Sequence, residues 1–187
     1  DTISYADNNE AKLKRSDAIK HINEKGVSLF AQTFITNCYS DTYKRKHSEL
    51  VDKCIAKSIK LNPVGVKGCL LAMMTRNDTT AYLSSIKIPT LLICGEHDVQ
   101  TPAFRMQSMS MQIHGSEFIL IKNAAHMSVV ENPSDSNEAI KAFLEKIDEA
   151  NLLIISMAEH NGSYTVAFKN LFDWTSRLKM KLFEHKN

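Results

Sequence analysis

Asp98 and His126 are the two residues whose types and spacing point to chemistry. Each stands just past the end of a short apolar run. The first run, Ile88-Pro-Thr-Leu-Leu-Ile-Cys94, is followed by Gly95-Glu-His-Asp98. The second, Phe118-Ile-Leu-Ile121, is followed by Lys-Asn-Ala-Ala-His126. In open α/β sheets, working residues gather beyond the carboxyl ends of strands. An acid that holds an imidazole in one tautomer and a histidine that shuttles a proton are two parts of a Ser-His-Asp triad. Acid before histidine is an order in which the nucleophile comes earlier still.

The nucleophile is missing from this pattern. A serine at a strand-to-helix elbow needs Gly-x-Ser-x-Gly, so that the backbone can turn tightly and expose the hydroxyl. The glycines stand at 26, 65, 68, 95, 115 and 162, and no two are four apart. Ser128 and Ser163 sit in no such elbow.

Helices come first. One is predicted from Asn9 or Glu10 to a stop at Gly26, with Leu13, Ile19 and Ile22 among its apolar positions. A second covers Val27 to Asn37, where Val27, Phe30, Ala31, Phe34 and Ile35 recur at three and four and mark one buried face. A third is predicted over about 44–60, with Leu50, Cys54, Ile55 and Ile59 inward, ended by Asn62-Pro63. A fourth runs over about 64–75, and Asp78 or Thr79 caps a short helix through Leu83.

The character changes at Ile86. An apolar run without alternation reads as a parallel strand covered on both faces, so 88–94 and 118–121 are predicted parallel strands. Thr101 offers a capping oxygen and Pro102 a first helical position for a helix reaching about His114. Glu131-Asn-Pro-Ser134 opens another, with Ala139, Ile140, Phe143, Leu144 and Ile147 as its stripe. Beyond 150, Asn161-Gly162 between apolar runs signals a hairpin, against the alternative of a continued helix. Phe168, Leu171, Phe172, Thr175, Leu178 and Leu182 then recur at helical spacing.

Ile86-Lys-Ile-Pro-Thr-Leu-Leu-Ile-Cys-Gly-Glu-His-Asp98, Thr101-Pro102, Ala125-His126 and Glu131-Asn-Pro133 together resemble the carboxyl-terminal part of α/β-hydrolase-fold enzymes, with an esterase and enol-lactonase flavour. The resemblance is good from about 70 to 147, looser before, and absent after 150. It implies an α/β fold: the last two parallel strands with their helices, plus a helical cap, in a sheet that is incomplete in this chain. It divides the sequence into a cap region 1–85, a core segment 86–150 and an atypical extension 151–187, a hairpin, an amphipathic helix or both. Asp98 takes the position of the triad acid and His126 that of the general base. Phe30, Phe34 and Met127 become candidates for an apolar substrate pocket. The first residue would match the end of the family's sixth strand, so the nucleophile-bearing half is expected elsewhere.

The expected function is hydrolysis of small apolar esters or lactones, with acid and base here and the serine in a segment absent from this chain. The alternative is a non-catalytic, hydrolase-like remnant that binds a ligand or partner. Two parallel strands do not make a stable sheet alone, so the expected partners, besides the small-molecule ester or lactone, are a missing amino-terminal half or another chain, or a second copy by self-association. No cofactor is implied. A net charge of +2 calls for neither nucleic acid nor membrane, and the basic run Tyr43-Lys-Arg-Lys-His47 reads as a solvated helix face. Cysteines at 38, 54, 69 and 94 form no Cys-x-x-Cys pair and no metal-ligand spacing, so free thiols in a reducing, cytoplasmic setting are expected.

Overall fold

Capping residues punctuate the helical layer. In the computed structural model, which describes residues 3–149, 159–160 and 163–164, helix α1 spans Asn9–Lys25. Asn8 starts it by accepting from Ala11 N at 2.8 Å, and Gly26 ends it at φ 80°, where a Cβ would be strained. α2 spans Ser28–Asn37 and α3 Asp41–Lys46, the latter capped by the Ser40 hydroxyl accepting from Tyr43 N at 3.2 Å. α4 spans Ser48–Ser58. α5, Pro63–Thr75, opens with Asn62 accepting from Val64 N at 2.9 Å and with proline in its first turn, where no amide partner is needed. A 3₁₀ turn follows at Thr80–Ser85, with Asp78 accepting from Thr80 N at 2.8 Å. α1 packs on α5 and α2, and α2 packs on α4.

The single helix expected over 44–60 is two. His47, at φ −132° and ψ 39°, breaks it. Within α4, Val51 is the deeply buried position at 5% exposure, while Leu50 and Ile59, expected inward, stand 39% and 37% exposed. Leu13 and Phe34 also face outward more than their spacing implies, at 65% and 39%.

The sheet is short. β1, Leu91–Gly95, pairs in parallel with β2, Glu117–Ile121, with Leu92 opposite Phe118 and Cys94 opposite Leu120. α6, Ala103–Gln112, packs on both strands. Leu92, Cys94, Met106, Met109 and Ile113 form the core there, closed by Leu83 from the 3₁₀ turn and by Ile3 and Tyr5 from the chain's start. The alternate positions Leu91, Ile93 and Ile119 are only half-buried. No described strand pairs with the other edge of β1. Phe118 and Leu120, on the side of Leu92 and Cys94, are half-buried too, while Ile121 on the opposite side is 1% exposed, so neither face is covered throughout.

The chain divides into two compact units, Asp1–Asp135 and Ser136–Asn187. The first ends with α7, Ser128–Glu131, and the opening of α8, Pro133–Glu149. In the second, Ser136, Ala139 and Leu144 of α8 are buried. There β3, Glu159–His160, pairs antiparallel with β4, Ser163–Tyr164, as the Asn-Gly signal anticipates. The amphipathic helix predicted over 168–182 lies outside the described residues.

Candidate active site

Backbone contacts bring the two loops together before either functional side chain is considered. β1 ends at Gly95 and β2 at Ile121. Past those ends the ladder continues as Glu96 N to Ile121 O at 2.9 Å and His97 N to Ala124 O at 2.8 Å. The Glu96 carboxylate accepts from Asn123 N at 3.0 Å and from Lys122 Nζ at 3.2 Å. Gly95 is where the loops press closest. A Cβ there would lie 2.1 Å from Ala125 O and 2.6 Å from Ala124 O, so only glycine fits.

Asp98 is buried, its carboxylate turned wholly away from solvent. Oδ1 accepts from Gln100 N at 2.7 Å and Thr101 N at 2.9 Å. Oδ2 accepts from Thr101 Oγ1 at 2.6 Å and pairs with His126 Nδ1 at 2.9 Å. Burial works to raise the Asp98 pKa, but the hydrogen bonds from His126 and Thr101 outweigh it and hold the carboxyl below its ordinary value. An ionised carboxylate only accepts, so Nδ1 of His126 is the donor in this pair. The imidazole is thereby fixed in one orientation, a quarter of its side chain open to solvent. Such a pair can hold Nε2 ready to take a proton and can stabilise the imidazolium that results.

By sequence, Thr101 is the cap of the next helix. Its hydroxyl goes to Asp98 instead, and α6 begins after Pro102 with no side-chain cap. As a donor the hydroxyl meets an ionised acceptor, which makes this one of the stronger hydrogen bonds of the site.

Cys38, at the end of α2, is buried nearby. Burial and the carboxylates of Asp98 and Glu131 push its thiol up to about 11, which makes it a poor nucleophile. A groove of about 630 Å³ opens beside Asp98 between residues 37–44 and 96–99, with Tyr39, Ser40, Lys44 and His97 among its lining. Phe30, Phe34 and Met127 are not among that lining. Phe30 and Phe34 stack on α2 with ring centroids 5.8 Å apart. Met127, next to His126, packs with Cys38, Tyr39 and Val51. Ser128 is buried at the start of α7. Among the described residues no group of three or more His, Cys, Asp or Glu could hold a metal ion, and no helix is long and apolar enough to cross a membrane.

Sequence reasoning named Asp98 and His126 but missed Thr101, Gly95 and Glu131. The last of these sits five residues past His126 and binds Ala125 N at 2.8 Å. Its signal is in Glu131-Asn-Pro133, which by sequence reads as a helix start and as part of the hydrolase-like pattern, with no role given to the carboxylate.

The chain is similar to 3-oxoadipate enol-lactonase 2 of Acinetobacter baylyi, 27% identical over 127 residues that cover 68% of this chain and 47% of that protein. Among solved structures it resembles a thermophilic esterase from Thermogutta terrifontis, with a TM-score of 0.71, 29% identity, and coverage of 76% of this chain and 53% of the other. It also resembles the enol-lactonase from Burkholderia xenovorans LB400, with a TM-score of 0.68, 17% identity, and coverage of 77% and 54%. The chain thus spans about half the length of these proteins. A family described as NADPH-dependent FMN reductase matches residues 107–187.

Proposed function

This chain holds a carboxyl-terminal portion of the α/β-hydrolase family, and on that premise we propose that it supplies the acid and the base of a serine hydrolase acting on small apolar esters or lactones. The observation that carries the reading is the 2.9 Å contact between His126 Nδ1 and a buried Asp98 carboxylate that three further hydrogen bonds hold in place. The serine belongs to a segment outside these 187 residues, and that segment also completes the sheet along the open edge of β1. In the reaction, His126 Nε2 takes the hydroxyl proton as the serine oxygen attacks the carbonyl carbon. Asp98 stabilises the imidazolium. The proton then passes to the leaving oxygen as the ester bond breaks, and water repeats the sequence on the acyl-enzyme. Backbone amides of the completing segment form the oxyanion hole. The relatives' names, an enol-lactonase and an esterase, support an ester or lactone substrate.

The test is fluorophosphonate labelling of the natural protein that contains this chain, with peptide mapping of the product. Label on a serine outside residues 1–187 that disappears in His126→Ala supports the reading. Label that survives the change removes His126 as the base and favours a hydrolase-like module that binds without catalysis. The 187 residues by themselves should hydrolyse esters at background, since losing a triad serine costs roughly a millionfold in the worked subtilisin case.

The reductase match favours a second reading for the far end. Within the matched range, residues 107–149 form the end of α6, β2, α7 and α8. Of these, α6 packs on β1 and β2, and Ala125 and Glu131 lie beside the Asp98–His126 pair. On this reading the chain joins the end of a hydrolase-like unit to part of a flavin-reductase-like one. Titrating FMN with the full chain tests it. Saturable quenching of flavin fluorescence supports the reading, and its absence at excess protein counts against it.

A further inference from the structure

One carboxylate outside the Asp98–His126 pair serves two segments that are far apart in sequence. Glu131 Oε1 accepts from Ala125 N at 2.8 Å, the residue immediately before His126. Its Oε2 accepts from Ser40 N, also at 2.8 Å and 91 positions away. Ser40 is the residue that caps α3. On the other side of His126, Met127 N donates to Cys38 O at 3.2 Å. His126 is therefore flanked at 125 and at 127 by amides whose acceptors are tied to the corner formed by residues 38–40. Cys38, Tyr39 and Ser40 are each 3–4% exposed and Ala125 is 1% exposed, so water does not readily replace a lost acceptor. Side chains bind the same two segments: Met127 and Val130 pack with Cys38, Tyr39 and Val51.

We propose that Glu131 is a positioning residue whose carboxylate latches the corner between α2 and α3 to the loop that carries His126, so that the helical layer and the histidine move as one piece. The role of His126 as base rests on the proposed function. The latch adds a route by which whatever settles against residues 37–44 bears on that base. The side chain has to be a carboxylate. Two N–H donors approach it from different segments, and only a carboxylate offers two acceptor oxygens at that reach. Glutamine has one, and its amide group would face the second N–H donor to donor. Aspartate is shorter by one methylene, about 1.5 Å, and cannot span both.

The experiment is amide hydrogen exchange on the full chain, wild type against Glu131→Gln, with the His126 ring followed by NMR. In the wild type both Ser40 and Ala125 amides are expected to be protected, although neither has a backbone acceptor among the described residues. Either one exchanging at the unprotected rate overturns the latch without any variant, so the test survives a variant that fails to fold. In Glu131→Gln, exchange at Ser40 or Ala125 should rise about tenfold or more, and the His126 ring resonances should shift, while amides of α1 and α5 keep their rates. A rise shared equally by α1 and α5 means general destabilisation and overturns the proposal, as does no rise at all. These readouts need no catalysis. If fluorophosphonate labelling survives His126→Ala while the exchange pattern holds, the base role fails and the latch stands. The reverse pattern sinks the latch alone.

Discussion

Replacing Gly95 with alanine should separate Asp98 from His126 without touching either. The added Cβ would stand 2.1 Å from Ala125 O. A comfortable carbon–oxygen contact is about 3.3 Å, so one backbone must yield by about 1.2 Å. Neither has room to do so cheaply, because the loops are bonded next to the contact, at Glu96 N to Ile121 O and His97 N to Ala124 O, and Ala125 N is held by Glu131. Ala125 directly precedes His126, so a shift of that size stretches the 2.9 Å pair with Asp98 past hydrogen-bonding range. Overpacking costs about 1–3 kcal/mol, and a hydrogen bond to a charged group is worth about 1.5–3 kcal/mol. His126 is partly open to water, which recovers some of the second figure. The expected loss is about 3 kcal/mol. With a urea dependence of about 2 kcal/mol per molar, that lowers the midpoint by about 1.5 M. Gly68→Ala is the control. Gly68 lies inside α5 with nothing within 4 Å of the added carbon, so there the substitution should stabilise by roughly 0.5–1 kcal/mol. A Gly95→Ala midpoint equal to wild type, with unchanged His126 resonances, would refute the close approach and the account of the paired loops built on it.

Thr101→Val keeps the shape but removes the hydroxyl bond to Asp98 Oδ2, so the Asp98 carboxyl should titrate higher, read by carbon NMR, at a stability cost of about 1.5 kcal/mol. Asp7 is buried between Arg15 and Arg76, and the hydrogen bond from Arg15 holds its pKa below the ordinary value despite burial. Its contribution is therefore complete above the unfolded pKa of about 3.9 and is lost as pH falls through the lower folded value. Asp7→Asn should cost about 2 kcal/mol at neutral pH and flatten stability against pH below about 4, measured by urea titration across pH. Alkylation at mildly basic pH should modify exposed Cys69 first, because burial pushes Cys38 and Cys94 up to about 11; early modification of Cys38 by mass spectrometry would contradict that.

Asp98 and His126 were legible because both mark the point where an apolar run gives way to polar residues, a local signal. What the spacing did not reveal is long-range. Gly95 read as an exit turn, since the carbonyls that forbid a side chain belong to residues 124 and 125. Glu131 read as a helix start, since one of its partners is Ser40. Leu50 and Ile59 read as inward, but Val51 takes the buried place in α4 and Ile59 stands just past its end. Thr101 carried a correct motif with the wrong partner, because capping preference does not register a carboxylate three residues earlier. The incomplete cover of the two strands was readable in principle, from apolar runs that ask for more cover than two strands and their helices provide.

The geometry of the pair is largely a property of backbone. Between Gly95 and Ala125 the two loops are joined by Glu96 N to Ile121 O, His97 N to Ala124 O, and Asn123 N to the Glu96 carboxylate. Gln100 N and Thr101 N fix the Asp98 carboxylate from its own turn. None of these bonds reaches the open edge of β1, where a completing segment would add its strand. The Asp98–His126 contact should therefore persist in the 187-residue chain alone, with an Nδ1 proton of His126 that exchanges slowly and resonates downfield. Adding a nucleophile-bearing segment should leave that proton in place and alter the environment of Nε2. If the Nδ1 signal appears only after that addition, the pair is assembled by the completing segment, and the local bonds named above do not hold it.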